Sequence, residues 1–304
     1  MSHNRPRWAV EGKDWPNHGA SRFLEVGRLH WHVQVMGEGP VLLLLHGTAS
    51  ATHSWRDLMP LLARHFTVVA PDLPGHGFTA GRPSGGLSMP AMARAVGDLI
   101  AALGISPQLV LGHSAGAAIA IRAVLDGAVS PKAVIGMNAA LLPFPGLAAK
   151  IFPGLARMLF VNPFAPHIFA GIARQQGETG SFLARSTGSK IDAAGADFYG
   201  RLFGTPGHCS GAITMMADWD LDSFARDLPS LRVPLLLVHG DRDAAITLDS
   251  AREATARVTA AKLTIQPALG HLAHEESPAE AAEIITGFAR ETGVLPKADS
   301  DDPR

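Results

Sequence analysis

Residues 108–122 read Gln108-Leu-Val-Leu-Gly-His-Ser114-Ala-Gly-Ala-Ala-Ile-Ala-Ile-Arg122: an apolar run, a serine between glycines, then a helix-forming run. The middle five, Gly112-His113-Ser114-Ala115-Gly116, fit G-x-S-x-G. Between a strand and a helix this pattern makes a nucleophile elbow, a sharp turn that lifts the serine hydroxyl above the end of a sheet. So tight a turn has no room for side chains against neighbouring strands, which accounts for the two glycines. The helix behind Ser114 also aims its first amides at any negative charge that develops there. The bland alternative is a chance match in a Gly- and Ala-rich helix start. The strand before it and the helix after it weigh against chance, so Ser114 is the candidate nucleophile.

The same strand-then-helix rhythm runs outward in both directions. Apolar, β-rich runs at 29–36, 41–46, 66–70, 109–112, 133–137, 234–239 and 262–266 alternate with helical stretches at 89–103, 115–125, 248–260 and 278–291. That alternation predicts an α/β fold with a mostly parallel central sheet and helices on both faces. Residues 21–36 leave no space for a crossover helix and are read as an antiparallel hairpin. The interval 138–231 has no convincing strand, and Pro143, Pro145, Pro153, Pro163 and Pro166 cut its apolar helices short. A loop of that length without structure does not belong in a compact domain. It is read as a helical cap (138–231) inserted into a core made of 1–137 and 232–296, with a charged, flexible tail at 297–304. Within the cap, Phe144, Leu147, Ile151, Leu155, Met158 and Leu159 recur at helical spacing. That face either packs down on the core, or part of it lines a large apolar pocket or dips into a membrane surface.

On this architecture the triad runs serine, acid, histidine along the chain. Of 14 histidines, only His271 and His274 follow a plausible acid. His271 stands directly after the strand at 262–266, where ligands bind in such sheets, and is preferred. The acid belongs in the loop after 234–239, where Gly240-Asp241-Arg242-Asp243 offers two carboxylates. Gly-x-x-Asp spacing favours Asp243 and leaves Asp241 to brace the loop. The acid's task is to fix the imidazole tautomer and stabilise the imidazolium. The buried strand that ends at His46-Gly47-Thr48 supplies the other half of an oxyanion hole. The backbone N–H groups of Thr48 and Ala115 are its candidate donors. His46 is expected to order that loop. Trp55 packs it and is a candidate substrate contact, together with His113, Phe144 and Leu147.

The remaining chemistry is excluded more simply. No His/Cys/Asp/Glu set has metal-ligand spacing, and there is neither H-E-x-x-H nor a phosphate-binding G-x-x-x-x-G-K-[ST], so no metal or cofactor is expected. Pro71-Asp-Leu-Pro-Gly-His-Gly77 is glycine-rich, but its spacing is wrong for a dinucleotide. A net charge of −1 over 304 residues gives nucleic acid no electrostatic footing. The single Cys209 allows no internal disulfide. The first residues carry no apolar core of a secretory signal, and no run reaches the roughly 20 residues of a spanning helix. A cytoplasmic protein without transmembrane segments is expected.

Together the elbow, the His46-Gly47 loop, the 71–77 turn, Asp243 and His271 resemble the α/β-hydrolase superfamily over nearly the whole chain. A narrower resemblance rests on Arg5-Pro-Arg-Trp8, Asp14-Trp-Pro-Asn17, Leu29-His-Trp-His-Val-Gln34 and Leu43-Leu-Leu-His-Gly-Thr-Ala-Ser-Ala-Thr-His-Ser-Trp-Arg-Asp57. These are similar to the magnesium-chelatase accessory proteins of bacteriochlorophyll biosynthesis (BchO). The superfamily implies the fold and the triad. A serine at 114 sets the chain apart from dehalogenases and epoxide hydrolases, which the resemblance associates with a carboxylate nucleophile. The narrower likeness implies a link to magnesium-tetrapyrrole biosynthesis by association, because a triad does not insert metals. Two function classes follow. One is a serine hydrolase acting on an ester of a bulky apolar or tetrapyrrole-related substrate. The other is a non-catalytic accessory protein that binds a tetrapyrrole or docks on the chelatase.

Overall fold

The computed structural model describes residues 5–143, 164, 166–167, 170–171 and 178–297. Within these, nine strands form one sheet: β1 (Ser21–Val26), β2 (Leu29–Met36), β3 (Val41–Leu45), β4 (Thr67–Pro71), β5 (Ala80–Gly81), β6 (Leu109–His113), β7 (Ala133–Met137), β8 (Leu235–Gly240) and β9 (Ala261–Gln266). Their order across the sheet is β1-β2-β4-β3-β6-β7-β8-β9, with β5 paired to β2. β1, β4 and β5 run antiparallel to β2, and every pairing from β4 through β9 is parallel.

The parallel strands are apolar at nearly every position because both faces are covered. Leu43 and Leu45 of β3 face one core with Val110, Val134 and Leu237, under the helices Met89–Ala102 and Ala115–Leu125. Leu42 and Leu44 face the other with Leu111, Ile135 and Val238, against the helices Leu58–Leu62 and Pro278–Glu291. Alternate residues of one Leu run thus serve two cores.

The expected strands and helices agree with the observed ones apart from a residue or two at their ends, with one exception, while β5 and the short helix Leu58–Leu62 were not among them. The two-residue β5 is too short to leave a pattern. The helix expected at 248–260 stops at Arg257, because Val258 is extended (φ −116°, ψ 114°) and a turn at 259–260, closed by the Ala261 N–H on the Val258 carbonyl (3.0 Å), leads into β9. Between β7 and β8 the described residues hold no strand. They form the helices Glu178–Thr187, Ala193–Phe203, Pro206–Asp218 and Leu221–Asp227. Two of these reach the loops at the carboxyl end of β3 and β4. His208 donates from Nε2 to the Ala49 carbonyl (3.1 Å) and accepts the Gly77 N–H at Nδ1 (3.1 Å). Tyr199 lies within 3.3 Å of the Ser50 hydroxyl. The apolar face from Phe144 to Leu159 and the end of the tail at 298–304 lie outside the described residues.

Candidate active site

Ser114 sits between β6 and the helix Ala115–Leu125 with φ 51° and ψ −118°, a conformation that strains any L-residue. Three backbone bonds hold it there. Its N–H donates to the Met137 carbonyl (2.9 Å), and its own carbonyl accepts from Ala117 (3.1 Å) and Ala140 (3.2 Å). A Cβ on Gly112 would strike the Ala117 backbone, and one on Gly116 would strike the Leu45 and His46 carbonyls. The helix therefore presses directly on the end of β3. Gly47 has the same constraint on the other side, since a Cβ there would lie 2.9 Å from His113 Nδ1 and 3.1 Å from Ser114 Cβ.

Asp243 and His271 meet from the loops after β8 and β9. The His271 Nδ1–H donates to Asp243 Oδ2 at 2.7 Å. The same oxygen accepts from Asn138 Nδ2 at 2.8 Å, while Oδ1 accepts the N–H groups of Ala245 and Ile246, both at 2.8 Å. Burial alone would push this carboxyl up. The bonds from His271, Ile246 and Asn138 outweigh it and hold the group below the ordinary carboxylate range. Asp241 turns away and accepts the Ala268 N–H (2.7 Å), bracing the turn before β9's histidine. His274 also lies elsewhere: its Nε2 bonds the Ser54 hydroxyl at 2.8 Å, and burial pulls it down to about 3.

On the oxyanion side, the Ala115 N–H heads a helix and so has no acceptor within it. Thr48 stands next to Gly47, and its hydroxyl rests 3.6 Å from Met215 Sδ on the helix Pro206–Asp218. His46 is fully buried and uses both ring nitrogens: Nδ1 donates to the Gly47 carbonyl (2.8 Å), and Nε2 accepts the Leu73 N–H (2.9 Å). That pattern fixes one neutral tautomer and ties the loop after β3 to the loop after β4. Burial lowers its pKa, as this assignment requires.

Two sequence-predicted substrate contacts are buried. Trp55 is 0% exposed in the lower core, with its ring 4.7 Å from that of His274. It packs the loop. His113 is 2% exposed, and its Nε2–H donates to the His271 carbonyl at 2.9 Å. It ties the histidine loop to β6. Burial, with His274 and His271 beside it, keeps it well below the usual imidazole range. Phe144 and Leu147 lie outside the described residues. Neither the His113 bond nor the position of Asn138 carries a sequence signal, because the partners are 158 and 105 residues away in the chain. Among the described residues no group of three or more His, Cys, Asp or Glu side chains could hold a metal ion.

A second Ser–His–Asp chain provides a control within the same molecule. Ser21 Oγ lies 2.9 Å from His32 Nε2, and His32 Nδ1 lies 2.8 Å from Asp72 Oδ2. Asp72 also accepts the N–H groups of Thr52 and Phe78, both at 2.8 Å. Yet Ser21 has relaxed extended backbone (φ −74°, ψ 135°) and begins a strand, so no helix amides converge beside it. It is a clasp for the N-terminal segment. The strained turn and the helix start distinguish Ser114.

The comparisons agree with this fold. The sequence profile of the family described as alpha/beta hydrolase fold matches residues 40–278. The chain is 38% identical over 264 residues to the magnesium-chelatase 30 kDa subunit of Rhodobacter capsulatus, covering 86% of this chain and 92% of that one. Two solved structures share the fold. The epoxide hydrolase CorEH superposes with a TM-score of 0.77 at 21% identity, covering 89% of this chain and 98% of that one. A thermophilic esterase from Thermogutta terrifontis superposes with a TM-score of 0.72 at 19% identity, covering 89% and 99%. The chain belongs to the α/β-hydrolase fold family and, within it, is a relative of the magnesium-chelatase 30 kDa subunit.

Proposed function

We propose that this chain is a serine hydrolase in which Ser114 is the nucleophile, His271 the base and Asp243 the acid. The observation that carries the reading is the His271 Nδ1–Asp243 Oδ2 bond of 2.7 Å, set in the loops beside a serine held at φ 51°. With Nδ1–H committed to the carboxylate, Nε2 keeps its lone pair. Nε2 takes the Ser114 proton as Oγ attacks a substrate carbonyl, and returns it to the leaving alcohol. The N–H groups of Thr48 and Ala115 hold the oxyanion. Water then releases the acyl group by the same steps in reverse. Asp243 stays ionised throughout, because three further donors satisfy its oxygens.

Residues 138–231 serve as the cap in this reading, and their apolar composition favours bulky apolar acyl or alcohol groups. A fluorophosphonate probe tests the nucleophile. Labelling should disappear in Ser114→Ala even though Ser21 remains, and in His271→Ala; labelling that survives in Ser114→Ala would sink the assignment. On an ester panel, kcat/KM should rise from acetates to long-chain or aromatic esters.

The relative's name adds a place for the reaction: a tetrapyrrole-related ester handled alongside magnesium chelatase, with the chelatase or a membrane surface as a candidate contact of the cap. In a bacteriochlorophyll-forming host, a chromosomal Ser114→Ala at normal protein level should lower pigment as deletion does. Full pigment in Ser114→Ala beside loss in the deletion would select the accessory, binding role instead.

A further inference from the structure

A third side chain converges on the Asp243–His271 pair, from a strand that supplies neither. Asn138 follows β7 directly, is fully buried, and holds a left-handed backbone (φ 46°). Its N–H donates to the Val238 carbonyl at 2.8 Å, which extends the β7–β8 ladder by one bond. The two hydrogens of its amide go to two different loops. One goes to Asp243 Oδ2 at 2.8 Å, and the other to the carbonyl of Gly270 at 3.2 Å. Gly270 is the residue before His271. One planar group therefore spans the acid loop and the histidine loop, and it shares its carboxylate oxygen with the imidazole.

The carboxylate has four donors, two on each oxygen. Three are neutral amides, and these disperse its charge. A carboxylate so satisfied orients the imidazole but competes poorly for its proton. We propose that Asn138 is a positioning residue for this pair: its amide sets both the orientation and the basicity of Asp243 while fixing His271 through Gly270. The proposal rests on the serine-hydrolase reading for its effect on turnover, though not for its effect on the hydrogen bond itself. The competing account is purely local, since asparagine is among the few residues that tolerate φ > 0. Glycine tolerates that conformation equally well and has no amide side chain. Aspartate keeps the shape of asparagine but turns the donor into an acceptor facing a carboxylate.

The experiment compares wild type, Asn138→Gly and Asn138→Asp, each also in an Asp243→Asn background. It reads fluorophosphonate labelling rate against pH, the melting temperature, and the proton resonance of the His271 Nδ1–H in histidine-labelled protein. Asn138→Gly should fold, label roughly 10- to 100-fold more slowly, and shift the midpoint of the pH profile, as loss of an orienting partner does. In the Asp243→Asn background the same change should matter about 3-fold or less, since residues acting as a unit are non-additive. The Nδ1–H resonance should move in both variants, and Asn138→Asp should be slow at neutral pH despite its shape. Wild-type labelling, pH midpoint and resonance in Asn138→Gly would overturn the proposal. So would a slowdown of undiminished size without Asp243. If glycine prevents folding, Asn138→Asp decides by the same readouts. If wild-type protein does not label at all, the hydrolase reading falls, and the resonance alone decides the role of Asn138.

Discussion

Two aspartates stand two positions apart, and only their partners separate them. Asp243 takes the imidazole and three amides, whereas Asp241 takes one exposed backbone N–H across the turn. Asp243→Asn removes the acceptor that holds Nδ1–H and lets the ring adopt the wrong tautomer. By the measured effect of such a change in a triad, turnover should fall about 10⁴-fold. Asp241→Asn keeps an acceptor oxygen for Ala268 and should fall by less than about 10-fold, its bond being worth about 1 kcal/mol. Steady-state kinetics on one ester decides the matter, and a reversed ranking would reject Asp243 as the acid. The Gly-x-x-Asp spacing favoured Asp243, while chain order left both His271 and His274 and only the place of His271 directly after a strand favoured it. His113, expected as a substrate contact, bonds a main-chain carbonyl, which no residue pattern announces. Asn138 went unread for the same reason: its contacts exist only after β7, β8 and β9 lie side by side.

At the scale of elements, the loop after β3 is gripped from above by a helix that sequence periodicity alone did not assign to it. Tyr199, on Ala193–Phe203, donates its hydroxyl to Glu275 Oε1 at 2.7 Å, and Ser54 donates to the same oxygen at 2.7 Å. Ser50 lies 3.3 Å from the Tyr199 hydroxyl, and His274 bonds Ser54. Glu275 stands four residues after His271, so this cluster links the helical segment, the loop after β3 and the histidine loop. Burial raises Glu275 to about 7, with Asp57 adding to that and Ser54, Tyr199 and Arg56 acting against it. Tyr199→Phe leaves the buried carboxyl one donor short, which costs about 1–3 kcal/mol. It should therefore lower the melting temperature and speed proteolysis between 193 and 218 before the sheet is attacked. Unchanged protection there would mean that the hydroxyl does not hold the helix down. The strands themselves were legible because burial on both faces leaves only apolar residues to read. A helical segment between β7 and β8 was expected from the lack of a strand pattern there, but the docking of the described helices depends on Tyr199, His208 and Met215 meeting loops far away in sequence.

Across the whole molecule, folding buries an unusual number of neutral imidazoles. Burial is the largest cause in each case: it holds His53, His76 and His113 well below the usual range, His208 at about 4 and His274 at about 3. Several cluster where the helices meet the sheet, with the rings of His46 and His76 at 5.5 Å and those of His76 and His208 at 5.4 Å. Unfolded, each of these histidines takes a proton below the ordinary imidazole value of 6.5. The native state refuses that proton until about 4 for His208 and about 3 for His274. Their folded pKa values are depressed, so the stability they permit is present above 6.5 and is lost as pH falls toward 4. Glu275 has the opposite sign: raised from 4.5 to about 7, it favours folding below 4.5 and loses that contribution as pH rises to about 7. One carboxyl does not offset five imidazoles, each worth about 1.4 kcal/mol per pH unit once the unfolded form is protonated. Between pH 6.5 and 4.5 unfolding should therefore take up several protons, and the melting temperature should fall steeply on acidification. The helical segment should open first, because His208 anchors it to Ala49 and Gly77 through a ring that cannot accept the Gly77 N–H once it is protonated. Calorimetry across that pH range, with hydrogen exchange at 206–218, tests both statements. A flat melting temperature would mean that these rings are hydrated in the native state, and uniform exchange would mean that acid does not act at the interface.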